Sequence, residues 1–282
     1  MNNSFFNPIP CGQTLPLNNI HAVSVSMPCL QDVIDYEEQT PEILEKITSA
    51  YPRFVMHPYL KKLAIFIKEK YKINDNYEVV LLSSQKAVEV VSNKYFIHNK
   101  IEINEPFGVI LVQNGTTQLN KVLKFIQHVG YNLSSRLAQD YLYKEGLIAT
   151  KHIEEYLDED IAYNSLTKAL AVAYKQPQNN VCLTPSGMNA VYCALRGIKS
   201  IQSVNGKTKL IQLGWLYLDT MNIVEHYFDE NKIFYDINDL DSVENYLIQN
   251  GHTISAIITE IPTNPLLQTV DLERLKILCL TL

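Results

Sequence analysis

The sequence predicts an α/β protein built around a parallel sheet. From Val181 onward, short β-rich apolar runs alternate with amphipathic stretches of helix length, and strands so separated imply parallel pairing through right-handed crossovers. Residues 59–175 alternate in a similar way, so a second, smaller α/β unit is expected before that sheet.

The first fifty residues hold Pro8, Pro10, Pro16 and Pro28 among polar residues, which reads as an arm with little regular structure, followed by a helix from about Pro41 to Ala50. Such an arm is stable only against another surface. The pattern then predicts a helix over Tyr59–Tyr71, a strand over Tyr77–Leu82, a helix over Gln85–Val91, a strand over Phe107–Val112, and helices after Thr117 and Leu133. Lysines from Lys61 to Lys70 mark the solvated side of the first of these helices. No glycine-rich nucleotide loop occurs in this stretch.

The third part predicts helix Gly187–Arg196, strand Leu210–Leu213, helix Leu218–Tyr227, strand Ile233–Tyr235, helix Leu240–Asn250 and strand Ala256–Glu260. That is half a doubly wound sheet. The expected organisation is an arm over 1–58, an inserted α/β unit over 59–175 and the sheet domain over 176–282. Asp271 is the expected N-cap of a last helix, whose sequence passes into Ile-Leu-Cys-Leu-Thr-Leu282. A parallel sheet ended there would expose an apolar edge, so the isolated chain is expected to aggregate or to need a partner fragment.

With 282 residues, 46% hydrophobic content and 17 tyrosines, the chain can bury a sizeable core. A net charge of -6 with interspersed signs argues against a nucleic-acid partner. Five cysteines without C-x-x-C spacing indicate neither a zinc site nor a disulfide framework, and the reading is of buried free thiols in a reducing cytoplasm. No signal-peptide pattern or bilayer-length apolar run is present, so a soluble, cytoplasmic protein without membrane partners is expected. The seven histidines show no metal-ligand spacing. His57 is a structural histidine on this reading, with proximity to the site below as the lesser alternative.

Two motifs carry the chemistry. Thr184-Pro-Ser-Gly-Met-Asn-Ala190 lies where an apolar run gives way to a helix, and free backbone N–H groups at such a start can hold a phosphate, with Gly187 letting the backbone come close. Glu260-Ile-Pro-Thr-Asn-Pro265 closes a β-rich run at the end of the sheet where a parallel arrangement presents loops to a ligand.

In this order, and with Thr259–Leu275 (TEIPTNPLLQTVDLERL), the chain resembles the Cys/Met-metabolism family of pyridoxal-phosphate (PLP) enzymes: cystathionine γ-synthases, cystathionine lyases and methionine γ-lyases. Tyr51-Pro-Arg53 resembles the family's Tyr-x-Arg, whose side chains reach the cofactor phosphate of a neighbouring subunit; an Arg fork suits phosphate oxygens. Gly214-Trp-Leu-Tyr-Leu-Asp-Thr220 resembles the segment whose tyrosine stacks on the pyridine ring, which makes Tyr217 the stacking candidate. The resemblance further implies backbone N–H contacts to the phosphate from Gly187 and Met188, a cofactor-binding place for Ser186 beside them, and a bond from Asn264 to the phenolic oxygen. Glu260 matches a glutamate near the site, with no assigned role. The opening His21–Phe54 and the long gap from Arg53 to Ser186 are similar to the long-form cystathionine γ-synthases of fungi and some bacteria.

The resemblance implies an incomplete PLP-dependent transferase type I fold, a partial parallel sheet with helices on both faces, plus the small inserted unit. It implies PLP as cofactor, amino-acid substrates, and a homodimer, homotetramer or complementing C-terminal fragment as partner. The implied reaction is γ-replacement on an activated homoserine by cysteine. The family's Schiff-base lysine and ring-nitrogen aspartate follow the Asn-Pro segment and have no counterpart here, so the catalytic lysine is unassigned and a truncated frame or split gene is expected. Ser165-Leu-Thr-Lys168 imitates the lysine motif but sits in a helical pattern ahead of Ser186, which marks Lys168 as a solvated helix residue. A non-catalytic remnant or regulatory subunit is the alternative function. A nicotinamide-binding protein is disfavoured, since no G-x-G-x-x-G follows a strand.

Overall fold

The computed structural model describes residues 9–47, 55–155, 157–228 and 230–281, and its contacts divide the chain into two units. One comprises the chain up to Gln127 together with Tyr131–Cys182, the other His128–Gly130 together with the chain from Leu183.

In the first unit the arm is more regular than its prolines suggest. β1 (Thr14–Leu15) and β2 (Ser24–Val25) pair antiparallel, and the Gly12 N–H closes their ladder on Ser26 O at 2.8 Å. α1 (Leu30–Glu37) begins where the Asp32 carboxylate accepts the Cys29 backbone N–H, 3.1 Å. This helix buries none of its side chains. α2 (Pro41–Lys46) starts on Pro41 and seats Ile43 in a small core with Ile47 and Val55. Thr48–Ala50, where the sequence extends this helix, lie outside the described residues.

α3 (Pro58–Lys70) buries Leu60, Leu63 and Ile67, one stripe of an amphipathic helix. Its lysines take partners at the rim: Lys68 pairs with Asp75 at 2.9 Å and Lys70 with Glu145 at 2.9 Å. Then follow β3 (Tyr77–Leu82), α4 (Gln85–Tyr95), β4 (Lys100–Ile101), β5 (Gly108–Gln113), α5 (Thr117–Val129), α6 (Ser135–Lys144) and α7 (Glu159–Ala173). α4 runs past the expected Val91 and is closed at Phe96, whose φ of 54° ends the helix. The sheet has the order β3-β5-β4 and is antiparallel throughout, with Val80 opposite Ile110. Leu63, Ile67, Val79, Phe107, Val109 and Leu142 are among the residues of its core.

The second unit contains α8 (Gly187–Gln202), β6 (Lys209–Leu213), α9 (Leu218–Tyr227), β7 (Asn231–Phe234), α10 (Leu240–Asn250), β8 (Ile254–Ile258) and α11 (Leu272–Thr281). Its sheet is parallel, as expected, in the order β7-β6-β8. Ile211 and Leu213 form a core with Leu240, Val243 and Leu247 of α10 and Leu275 and Leu278 of α11. Leu210 and Gln212 alternate to the opposite face and are also buried, on the side where α8 packs along β8. The parallel sheet thus has helices on both faces, and the architecture is mixed α/β.

Two expectations are corrected. β8 starts and ends two residues early, leaving Glu260 in the segment beyond the strand. The thiols are not buried: Cys29, Cys182, Cys193 and Cys279 are exposed, Cys11 is half-buried, and all five are free. Asp271 caps α11, accepting the Arg274 N–H at 3.0 Å, and the apolar run from Ile277 is helical as far as Thr281, with Leu278 turned inward. Among the described residues no helix is long and apolar enough to cross a membrane.

Candidate functional site

Parallel pairing puts the carboxyl ends of β6 and β8 on one edge of the second sheet. Gly214 leaves β6 there with φ +83°, and a Cβ on it would lie 2.4 Å from Ile237 Cγ2 and 3.0 Å from Thr263 Cγ2. Only glycine allows the turn after β6 to press so closely on the segment after β8. Leu216 is fully buried and anchors this turn. The next residue, Tyr217, is exposed and precedes the first turn of α9.

The Tyr217 backbone N–H donates to Glu260 Oε1 at 2.9 Å. Glu260 therefore acts on Tyr217, fixing the main chain at the point where the tyrosine emerges. This supplies the role that the sequence leaves open for Glu260. Beyond it, Thr263 is fully buried and organises a tight loop: its N–H donates to Gln268 O at 2.8 Å, its Oγ1 accepts the Gln268 N–H at 3.0 Å, and its carbonyl accepts the Leu267 N–H at 2.9 Å. Asn264 is displayed on the exposed side of that loop, between Pro262 and Pro265, both of which follow cis peptide bonds.

α8 brings the third motif to the same edge. It joins β6 through the short connection 203–208 and so runs antiparallel to it, which returns its N-terminus to the carboxyl ends of the strands. Ser186, extended at φ -157°, is the N-cap, and its Oγ accepts the Asn189 N–H at 3.2 Å. That bond leaves its own O–H proton to donate. Asn189 Nδ2 donates to Val129 O at 3.2 Å, and Gly130, at φ +68°, abuts Ser186 so closely that a Cβ would fall 2.0 Å from Oγ. The Met188 side chain is buried, so this residue offers only its backbone. Above Gly187 a Cβ would meet nothing within 4 Å.

The edge thus gathers the first N–H groups of α8, which have no acceptor within the helix, open space over Gly187, the Tyr217 ring and the Asn264 amide. Two buried oxygens without partners, Thr259 Oγ1 and Gln268 Oε1, lie in the segment after β8. These groups fit a ligand that combines a phosphate with a planar polar ring. Sequence reasoning gave no role to Thr263 or Gly130; the only trace of Gly130 was a glycine at a helix end, and Thr263 stood within the Glu260–Pro265 motif without being singled out.

Ser186, Gly187, Met188, Tyr217, Glu260 and Asn264 all belong to this edge. Tyr51 and Arg53 lie outside the described residues. His57 belongs to the first unit, where it caps α3 and donates to Ile20 O, 2.6 Å. Lys168 is exposed on α7, also in the first unit. Among the described residues no group of three or more His, Cys, Asp or Glu could hold a metal ion.

The chain is 32% identical to an L-2-amino-4-chloropent-4-enoate dechlorinase/desaturase of Streptantibioticus cattleyicolor over 92% of its length and 52% of that protein. It is 23% identical to a cystathionine gamma-synthase of Neurospora crassa, covering 95% of this chain and 63% of the other. Its homologues are cystathionine γ-synthase-like, PLP-dependent enzymes. A further such relative, a cystathionine gamma-synthase-like enzyme of Amanita muscaria, is 24% identical over 98% of this chain and 59% of its own length. The chain spans between 52% and 63% of the length of these three relatives. No protein-family model and no solved structure matches it.

Proposed function

We propose that this chain carries the phosphate- and ring-binding side of a PLP site in an enzyme of sulfur amino-acid metabolism, one that replaces the γ-substituent of an activated homoserine with cysteine. The observation that carries the reading is the convergence, on one edge of a parallel sheet, of the α8 start with the bonded pair Tyr217 and Glu260. The relatives' names support it. The dechlorinase substrate bears its chlorine on the fourth carbon, the γ-carbon of an α-amino acid, and the synthases act at the same position.

Bound PLP supplies an electron sink for negative charge developing on the substrate carbons next to the amino group. The chain's own residues bind and orient. Gly187 and Met188 would offer backbone N–H groups, aided by the α8 dipole, to the phosphate, and Ser186 would add its hydroxyl proton. Tyr217, its main chain held by Glu260, would stack on the ring, and the Asn264 amide would donate to the phenolic oxygen. By the family resemblance Tyr51 and Arg53 would serve the phosphate site of a neighbouring copy, and the working form would be a homodimer or homotetramer. The tethering lysine and the acid at the ring nitrogen are assigned to none of the described residues. Five free cysteines and the absence of a membrane-crossing helix among the described residues support a soluble protein of the cytoplasm.

Trp215, the one tryptophan, sits two residues from Tyr217 and reports binding directly. Titration of the full chain with PLP should quench its fluorescence saturably, inorganic phosphate should compete, and Gly187→Glu should weaken binding at least tenfold (about 1.4 kcal/mol) with unchanged folding, since Glu suits a helix start. Binding equal in both proteins sinks the reading. A borohydride-reducible band would locate a tethering lysine within this chain, and saturable binding without one favours a cofactor-holding subunit.

A further inference from the structure

A buried cluster in the first unit serves no purpose in the cofactor site. His21 lies in the turn between β1 and β2 and is 4% exposed, as is His57 at the start of α3. Their rings stack at 5.9 Å between centroids with 23° between planes. The hydrogen bonds fix the proton positions. Ile20 O and the Tyr59 N–H bracket His57: the carbonyl can only accept, so Nε2 carries the proton at 2.6 Å, and the amide can only donate, so Nδ1 is bare at 3.1 Å. On His21, Nε2 donates to Gln139 Oε1 at 3.0 Å and Nδ1 accepts from the Ser135 hydroxyl at 2.9 Å.

The two histidines answer protonation differently. Ser135 can turn its hydroxyl and accept from a protonated His21. His57 has no such escape, because a second ring proton would point at the Tyr59 N–H, break the α3 cap and set a cation beside the stacked His21. The other groups facing the cluster are Tyr59 of α3, Arg136 of α6, and His152 and Glu154 beyond α6. Arg136 and Glu154 are joined by two bonds of 2.6 Å and largely cancel. His152, 5.7 Å from His21, adds a further positive charge when protonated.

We propose that His57 and His21 form a proton-operated clasp that holds the β1–β2 turn of the arm on α3 and α6 near neutral pH and lets it go on acidification. Burial lowers the affinity of both imidazoles for a proton below the ordinary value, which keeps the clasp shut at neutral pH. The clasp rests on the first unit alone and is independent of the cofactor reading.

Hydrogen exchange of the full chain at pH 7.5 and 5.5, corrected for intrinsic rates, tests it. Amides around Ile20–Ala22 should lose at least tenfold protection at the lower pH while the β3–β5 ladder keeps its own. The double variant His21→Gln/His57→Gln, which retains Nε2 donors but does not titrate, should keep the arm protected at both pH values. Should that variant fail to fold, the NMR titration of His57 in the unaltered chain decides: its midpoint must lie below the ordinary imidazole value and coincide with loss of arm protection. Arm protection independent of pH, an undiminished acid response in the double variant, or a His57 midpoint unconnected with arm release overturns the proposal.

Discussion

Two sheets among the described residues have three strands each and opposite habits. In the order β3-β5-β4 every neighbour runs antiparallel, so the loop after the central strand β5 leaves by the end opposite to the loops after β3 and β4. In the order β7-β6-β8 every neighbour runs parallel, so the loops after β6 and β8 leave by the same end, and residues 43 positions apart, Tyr217 and Glu260, meet. Strand direction therefore decides which unit gathers a ligand edge. The first unit spends its buried polar groups differently, tying an arm to two helices through His21, His57, Ser135 and Gln139.

The difference can be broken most strongly through the cores. Leu63, fully buried among the α3 and sheet residues, should cost about 4 kcal/mol on truncation to alanine. Urea unfolding should show that loss in the first unit while the Trp215 signal of the second keeps its midpoint; a common shift would mean that the units unfold as one. Gly214→Val tests the opposite side. Its Cβ collides with Ile237 in a left-handed turn, and about 3 kcal/mol should disappear from the Trp215-reported transition. Tolerance of valine there would refute the close approach of the two loops.

A smaller effect is expected at the bond joining those loops. Glu260→Ala should cost about 1 kcal/mol, and Glu260→Gln, which keeps an acceptor for the Tyr217 N–H, should recover most of it in the same measurement. Equal losses in both variants would show that charge, not the bond, matters. The smallest effect is the pH dependence of the first unit. Burial depresses the folded-state affinity of His21 and His57 for a proton, so the unfolded chain binds more protons below the ordinary imidazole value. Stability contributed by these groups is complete above that value and falls as the pH drops through the depressed folded one. Thermal melts between pH 7.5 and 5 should show this decline, and the double glutamine variant should lack it.

Much of the local structure was legible in the residues themselves. The strand Tyr77–Leu82 and the helices Leu218–Tyr227 and Leu240–Asn250 have the bounds their periodicity predicts. α1 was missed because the surrounding prolines drew the reading toward an irregular arm although Leu30, Val33 and Ile34 have helical spacing, and β4 because two residues are too few to show alternation. β8 was displaced because the turn at Gly251–Thr253 starts the strand earlier than its apolar run suggests. Of the candidate site, the helix start at Gly187 was readable from a glycine placed before a helix, whereas the service of Glu260 to Tyr217 was not.

By itself the sequence determined where the longer helices and strands form, since these follow from short-range periodicity, caps and turn residues that each act within a few positions. The tertiary structure alone decided that Gly214 presses on Thr263, that Glu260 holds Tyr217, and that His57 finds Ile20, 37 residues before it. Such pairings depend on strand direction and on the packing of distant segments, and no pattern confined to neighbouring residues encodes them.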